Sequence, residues 1–143
     1  MRQYIFLILI SLLALTACDP SSGACYEVRN DSDSIVEIKL KTGVIYETHK
    51  TDTTLCSSSV NDSVVRLSHN EYMAVIYGAL SNRVPEHTPL WKDIISISAG
   101  SHIIPEEKWN SEDKWQSDKS GGHVFSFGED WHYVLSVNKG MVQ

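Results

Sequence analysis

The sequence predicts a mainly β protein, a single antiparallel β-sandwich of immunoglobulin-like size, with a small β-barrel as the alternative. Two observations carry this expectation. Short segments alternate apolar and polar residues with period two, and clusters of Gly, Asn, Asp and Ser separate them. The chain also has 143 residues with 42% hydrophobic content, which suits one ordinary domain and leaves no room for a second.

The elements follow in order. Tyr26 and Val28 alternate with Glu27 and Arg29, and Asn30-Asp31-Ser32-Asp33 then marks a turn. Val36, Ile38 and Leu40 alternate with Glu37, Lys39 and Lys41 before Thr42-Gly43, and residues 44–48 complete a hairpin. Residues 57–63 read as a polar loop, followed by a strand at 64–68 built on Val65 and Leu67 and another at 72–77. Pro85 and Pro89 exclude a central strand between Gly78 and Lys92. Alternation resumes at 93–99 through Ile95 and Ile97, breaks at Gly100 and returns at 102–104. Pro105-Glu106-Glu107 has the form of a helix start, so one short helix is expected over Pro105–Trp115. Residues 124–127 and 131–137 form a closing strand pair.

Net charge is −6, from 12 Lys plus Arg against 18 Asp plus Glu, with no basic cluster. That balance gives no footprint for a phosphate backbone, and nucleic acid is not an expected partner. Zinc motifs, a Gly-x-Ser-x-Gly elbow and a phosphate-binding Gly loop are all lacking. The six histidines (His49, His69, His87, His102, His123, His132) are scattered singly. The sequence therefore nominates no catalytic residue, no metal ligand and no cofactor. Enzymatic activity is not expected, although a carboxylate pair assembled in three dimensions leaves a hydrolase of envelope polymers as the alternative.

The N-terminus carries the most specific motif. Arg2 precedes an apolar run from Tyr4 to Leu15 broken only by Ser11, the form of a signal peptide and too short to span a bilayer as a helix. Leu15-Thr16-Ala17-Cys18 follows, and it resembles the lipobox of bacterial lipoproteins at all four positions. The whole chain is similar to small lipoproteins of Gram-negative gut anaerobes, with a lipobox, a short tether and one β-rich domain. The resemblance implies removal of residues 1–17, a covalent lipid on Cys18 as the only prosthetic group, a tether over 18–24 and a domain over 25–143. Acyl chains on Cys18 imply stable membrane anchorage. The implied location is the cell envelope, at the outer membrane or cell surface, while Asp19 keeps the inner membrane open.

Lipidation of Cys18 would leave Cys25 and Cys56 as an even pair in a disulfide-permissive compartment. A bridge between them is expected over two separate thiols, and would stabilise the domain by roughly 3–4 kcal/mol. Trp109 and Trp115, set among Lys, Asn, Glu and Asp, are the candidate ligand-binding residues: they suit a sugar ring or a protein hot spot, and equally a pair of lids over the core. Asp33-Ser34-Ile35, Asp52-Thr53-Thr54 and Asp62-Ser63-Val64 resemble a short O-glycosylation signal. The expected function is a non-enzymatic envelope binding module for a protein or glycan, or a purely structural or inhibitory lipoprotein.

Overall fold

The computed structural model describes residues 22–50, 55–59, 63–79, 88–121 and 129–142. Ten strands form two sheets: β1 (Ser22–Asn30), β2 (Val36–Leu40), β3 (Tyr46–Lys50), β4 (Leu55–Ser59), β5 (Val64–Leu67), β6 (Glu71–Ala79), β7 (Ile94–Ala99), β8 (His102–Ile104), β9 (Gln116–Gly121) and β10 (Glu129–Val137). The larger sheet runs β4-β3-β6-β1-β10-β9 and the smaller β5-β2-β7-β8, so neither closes into a barrel. The sandwich expectation holds. Among the described residues all pairings are antiparallel except one: β1 and β10, the first and last of these strands, run parallel in the interior of the large sheet.

Period-two alternation places one residue of each pair in the core. Ala24, Tyr26, Val28, Met73, Val75, Leu135 and Val137 face inward from the large sheet, and Val36, Ile38, Leu40, Val65, Leu67, Ile97 and Ile104 meet them from the small one. Each fully buried Leu, Ile or Val contributes about 1.5–3 kcal/mol. Ile95 departs from expectation. The ladder between β2 and β7 shifts register between Lys39 and Leu40, so Ile94 takes the buried position and Ile95 turns outward.

Two strands had no counterpart in the sequence pattern, and they are the two edges of the large sheet. Leu55–Ser59 overlaps the expected polar loop, and Gln116–Gly121 falls in the polar segment after Trp115. Edge strands tolerate polar residues because only one side of their ladder is paired. The expected helix at Pro105–Trp115 is instead two 3₁₀ turns, Glu106–Lys108 and Glu112–Lys114. Two four-residue helices complete the described elements: α1 (Leu90–Asp93) leads into β7, and α2 (Lys139–Val142) follows β10. β1 begins at Ser22, three residues ahead of the expected domain start, and Ala24 is already core. The expected strand at 124–127 and Pro85 lie outside the described residues.

The β1–β2 turn is fixed by Asn30, which is fully buried. Its amide nitrogen donates to the carbonyls of Ser34 and Leu67, both at 2.8 Å, while its oxygen accepts from the backbone N–H and hydroxyl of Ser32. Every polar atom of the side chain is thereby satisfied, and the turn is tied to β5. Gly43 (φ 93°) and Gly100 (φ 60°) sit at turns in the left-handed region that only glycine enters freely.

Candidate functional site

Because β1 buries its even-numbered residues, Cys25, Glu27 and Arg29 share the outward face of the large sheet. The parallel register sets His132 of β10 opposite Cys25, and the antiparallel register sets Tyr72 of β6 opposite Arg29. The thiol of Cys25, a carboxylate oxygen of Glu27 and a ring nitrogen of His132 all lie within 4.8 Å of one another. Glu27 is pinned between two partners. Its Oε2 accepts from Nη2 of Arg29 at 2.6 Å and from Nε at 2.9 Å, and its Oε1 is left to face His132 Nε2 at 2.9 Å. That last contact is close but out of hydrogen-bond alignment, so the shielded Nε2 makes no hydrogen bond.

The row continues across β6 to β3. The Arg29 guanidinium lies 5.8 Å from the centre of the Tyr72 ring, and His49 stacks on the same ring at 5.2 Å. His49 Nε2 in turn lies 3.2 Å from Glu47. In register, His49 and Arg29 flank Tyr72 from its two neighbouring strands. Burial, reinforced by the Glu27 carboxylate, pushes the Cys25 thiol up to about 11. At neutral pH the sulfur is therefore a neutral thiol and a poor nucleophile, which argues against reading Cys25, His132 and Glu27 as a thiol-protease triad. The same three atoms are a sulfur, a nitrogen and an oxygen donor gathered at one point. That is the composition of a transition-metal ligand set.

Next to this row the surface turns apolar. Ile76, opposite Cys25, is 70% exposed, and Ile45, just before β3, is 62% exposed. The two share a shallow hollow with Glu47 and Ala74. A cleft of about 350 Å³ adjoins them, lined by Lys41, Gly43, Val44, Tyr77 and Asp93 among others. Lys41 and Asp93 pair at 3.5 Å on its wall.

Trp109 and Trp115 require a correction. They are 1% and 4% exposed, and no ring face remains for a ligand. Trp109 Nε1 donates to the carbonyl of Ile104, and Trp115 Nε1 donates to the carbonyl of Trp109. Trp115 also packs on Trp91 and on the edge of Tyr26. They are core lids, held by the two 3₁₀ turns whose charged residues stay in water.

The Cys25–Cys56 bridge is corrected as well. Cys25 carries a free thiol. The sheet order sets β4, the strand of Cys56, three strands from β1. At the usual spacing that is roughly 14 Å, against a Cα separation of at most about 7 Å in a disulfide. Cys18, the Asp52-Thr53-Thr54 tripeptide, His87 and His123 lie outside the described residues. Asp33-Ser34-Ile35 belongs to the β1–β2 turn, where Asp33 pairs with Lys139. Glu27, Arg29 and His132 escape the sequence because its pattern suggests only His123 as a neighbour of His132 across the terminal hairpin, whereas the parallel β1–β10 register sets Cys25 opposite His132. The available signal was Cys25-x-Glu27, two donors on one face of a strand.

Comparison of the chain with protein-family models, curated proteins and solved structures finds no match.

Proposed function

We propose that this protein is a lipid-anchored lipoprotein of the bacterial envelope whose sandwich acts as a non-enzymatic binding module for a protein partner. The lipobox at Leu15–Cys18 supports the anchor. Acyl chains on Cys18 would hold β1 near the lipid, since only three residues separate Cys18 from Ser22.

The observation that carries the binding role is the pairing of Ile45 and Ile76, two strongly exposed aliphatic side chains, beside a polar row tied by the Arg29–Glu27 ion pair and the His49–Glu47 contact. An apolar centre with a polar, pre-ordered rim is the make-up of a protein interface. A glycan site is less well served, because Tyr72, the ring on this face, is flanked by His49 and Arg29 and has no open side for a sugar. The test is crosslinking of the lipidated protein in intact envelopes, with Ile45→Asp/Ile76→Asp and Cys18→Ser beside the wild type. The double variant is expected to lose a specific crosslinked protein while remaining membrane-bound, and Cys18→Ser to leave the membrane fraction. An unchanged crosslink pattern in the double variant contradicts the assigned face, and membrane retention of Cys18→Ser contradicts the anchor.

A further inference from the structure

We propose that Cys25, Glu27 and His132 form a zinc site with three protein ligands and a fourth coordination position open to solvent. The inference stands apart from the binding role above and needs neither the anchor nor a partner.

Three independent features converge on it. The first is donor chemistry: thiolate, imidazole and carboxylate together are the mixed ligand set that zinc accepts, and calcium or magnesium would instead call for oxygen donors alone. The second is geometry. Cys25 and Glu27 lie at i and i+2 on one face of β1, and the parallel register brings His132 directly opposite Cys25. The donor atoms already lie within 4.8 Å of one another. Coordination at about 2.0–2.3 Å places tetrahedral ligands roughly 3.5 Å apart, a spacing between the 2.9 Å that separates His132 Nε2 from Glu27 Oε1 and the 4.8 Å within which all three donors lie.

The third feature is what surrounds the donors. His132 Nε2 is shielded from solvent, lies 2.9 Å from Glu27 Oε1 and has no aligned hydrogen-bond partner among the described residues. Arg29 holds Oε2 of Glu27 from behind and leaves Oε1 facing His132 and the thiol. Such an outer partner fixes a carboxylate ligand and tunes it. Tyr72 and His49 in turn support Arg29. When the ion binds, a metal–sulfur bond replaces the S–H bond and the thiol proton passes to solvent. A bound cation favours the thiolate form of its sulfur ligand.

The other His–carboxylate contact on this face, His49 with Glu47, has no thiol among the metal-capable groups of the described residues.

The experiment is a Co(II) titration of the full chain in detergent under a non-thiol reductant, followed by displacement with Zn(II). One equivalent of Co(II) is expected to produce a thiolate-to-cobalt charge-transfer band that Zn(II) abolishes. Cys25→Ser is expected to remove the band, and His132→Ala and Glu27→Gln to weaken binding at least about tenfold. Arg29→Ala, a positioning residue, is expected to weaken binding by about 10- to 100-fold while the band remains at saturation. Cys56→Ser and His102→Ala are expected to bind as the wild type does. Circular dichroism identifies any variant that has not folded, and because Cys25 and His132 sit on different strands, either alone carries the test. Absence of the band in the wild type, or its survival in folded Cys25→Ser, overturns the site. Loss of the band in Cys56→Ser moves it elsewhere and overturns it equally.

Discussion

Strands β1 and β10 lie side by side through the centre of the large sheet, and their two faces have been put to different uses. Inward, Tyr26 stacks on Tyr133 at 4.8 Å and meets Trp91 and Trp115 edge-on, so that bulky rings close one end of the core. Outward, one residue along on the same strands, Cys25, Glu27, Arg29 and His132 form a compact polar cluster. One backbone register therefore sets both the packing and the chemistry. The comparison teaches that residue parity, rather than residue type, decides which side chains of these two strands are available: Tyr26 and Tyr133 turn to the core, while Cys25 and His132 turn outward.

Substitutions on the inner face break this arrangement most. Trp109→Ala removes a fully buried ring together with its hydrogen bond to Ile104, and is expected to cost about 3–5 kcal/mol in denaturant unfolding. A loss below about 1 kcal/mol would mean that the tryptophan lid is not part of the core. Asn30→Ala is expected to cost about 2–3 kcal/mol, because the Leu67 and Ser34 carbonyls and the Ser32 donors lose their partner. Thermal melting beside Asn30→Asp checks it, since the aspartate keeps the acceptor and loses the two donated bonds.

Outward substitutions sharpen the contrast by doing less to the fold. Cys25→Ser is expected to change stability by no more than about 0.5 kcal/mol, and Arg29→Ala by no more than about 1 kcal/mol, even as both alter metal binding. If either destabilises the fold as Trp109→Ala does, the two faces are not separable.

The smallest effect belongs to the exposed pair of Asp33 and Lys139, whose contact at 2.6 Å holds the carboxyl below its ordinary 3.8 and the amine above its ordinary 10.5. A lowered carboxyl adds stability above its unfolded value and loses it as pH falls through the folded one. A raised amine adds stability below its unfolded value and loses it as pH rises through the folded one. The pair therefore helps between those limits. Lys139→Ala is expected to shift the melting temperature slightly at neutral pH and low salt, and by less as the pH falls below the ordinary carboxyl value or as salt is added.

The sandwich was legible because β1, β2 and β5 alternate cleanly, and each buried residue there is apolar save Asn30 at the end of β1. What escaped was set by pairing. The edge strands β4 and β9 are polar because a sheet edge imposes little hydrophobic demand, so Ser57-Ser58-Ser59 and Gln116-Ser117-Asp118 carried no pattern to detect. The parallel contact of first and last strands has no local signal at all. It joins Cys25 to His132 across more than a hundred residues, which is why a search for ligands at short spacing found none. Cysteine parity misled for the same reason, since it counts thiols without knowing that two strands, β3 and β6, lie between them. The tryptophans misled because charged neighbours in two 3₁₀ turns concealed rings that point inward.

The most direct measurement is zinc X-ray absorption fine structure on the full chain loaded with one equivalent of Zn(II). The outward face of β1 and β10, as described, gives one sulfur at about 2.3 Å and nitrogen or oxygen neighbours at about 2.0–2.2 Å, with the sulfur lost in Cys25→Ser. A shell of nitrogen and oxygen alone, or one holding two sulfurs, would contradict it.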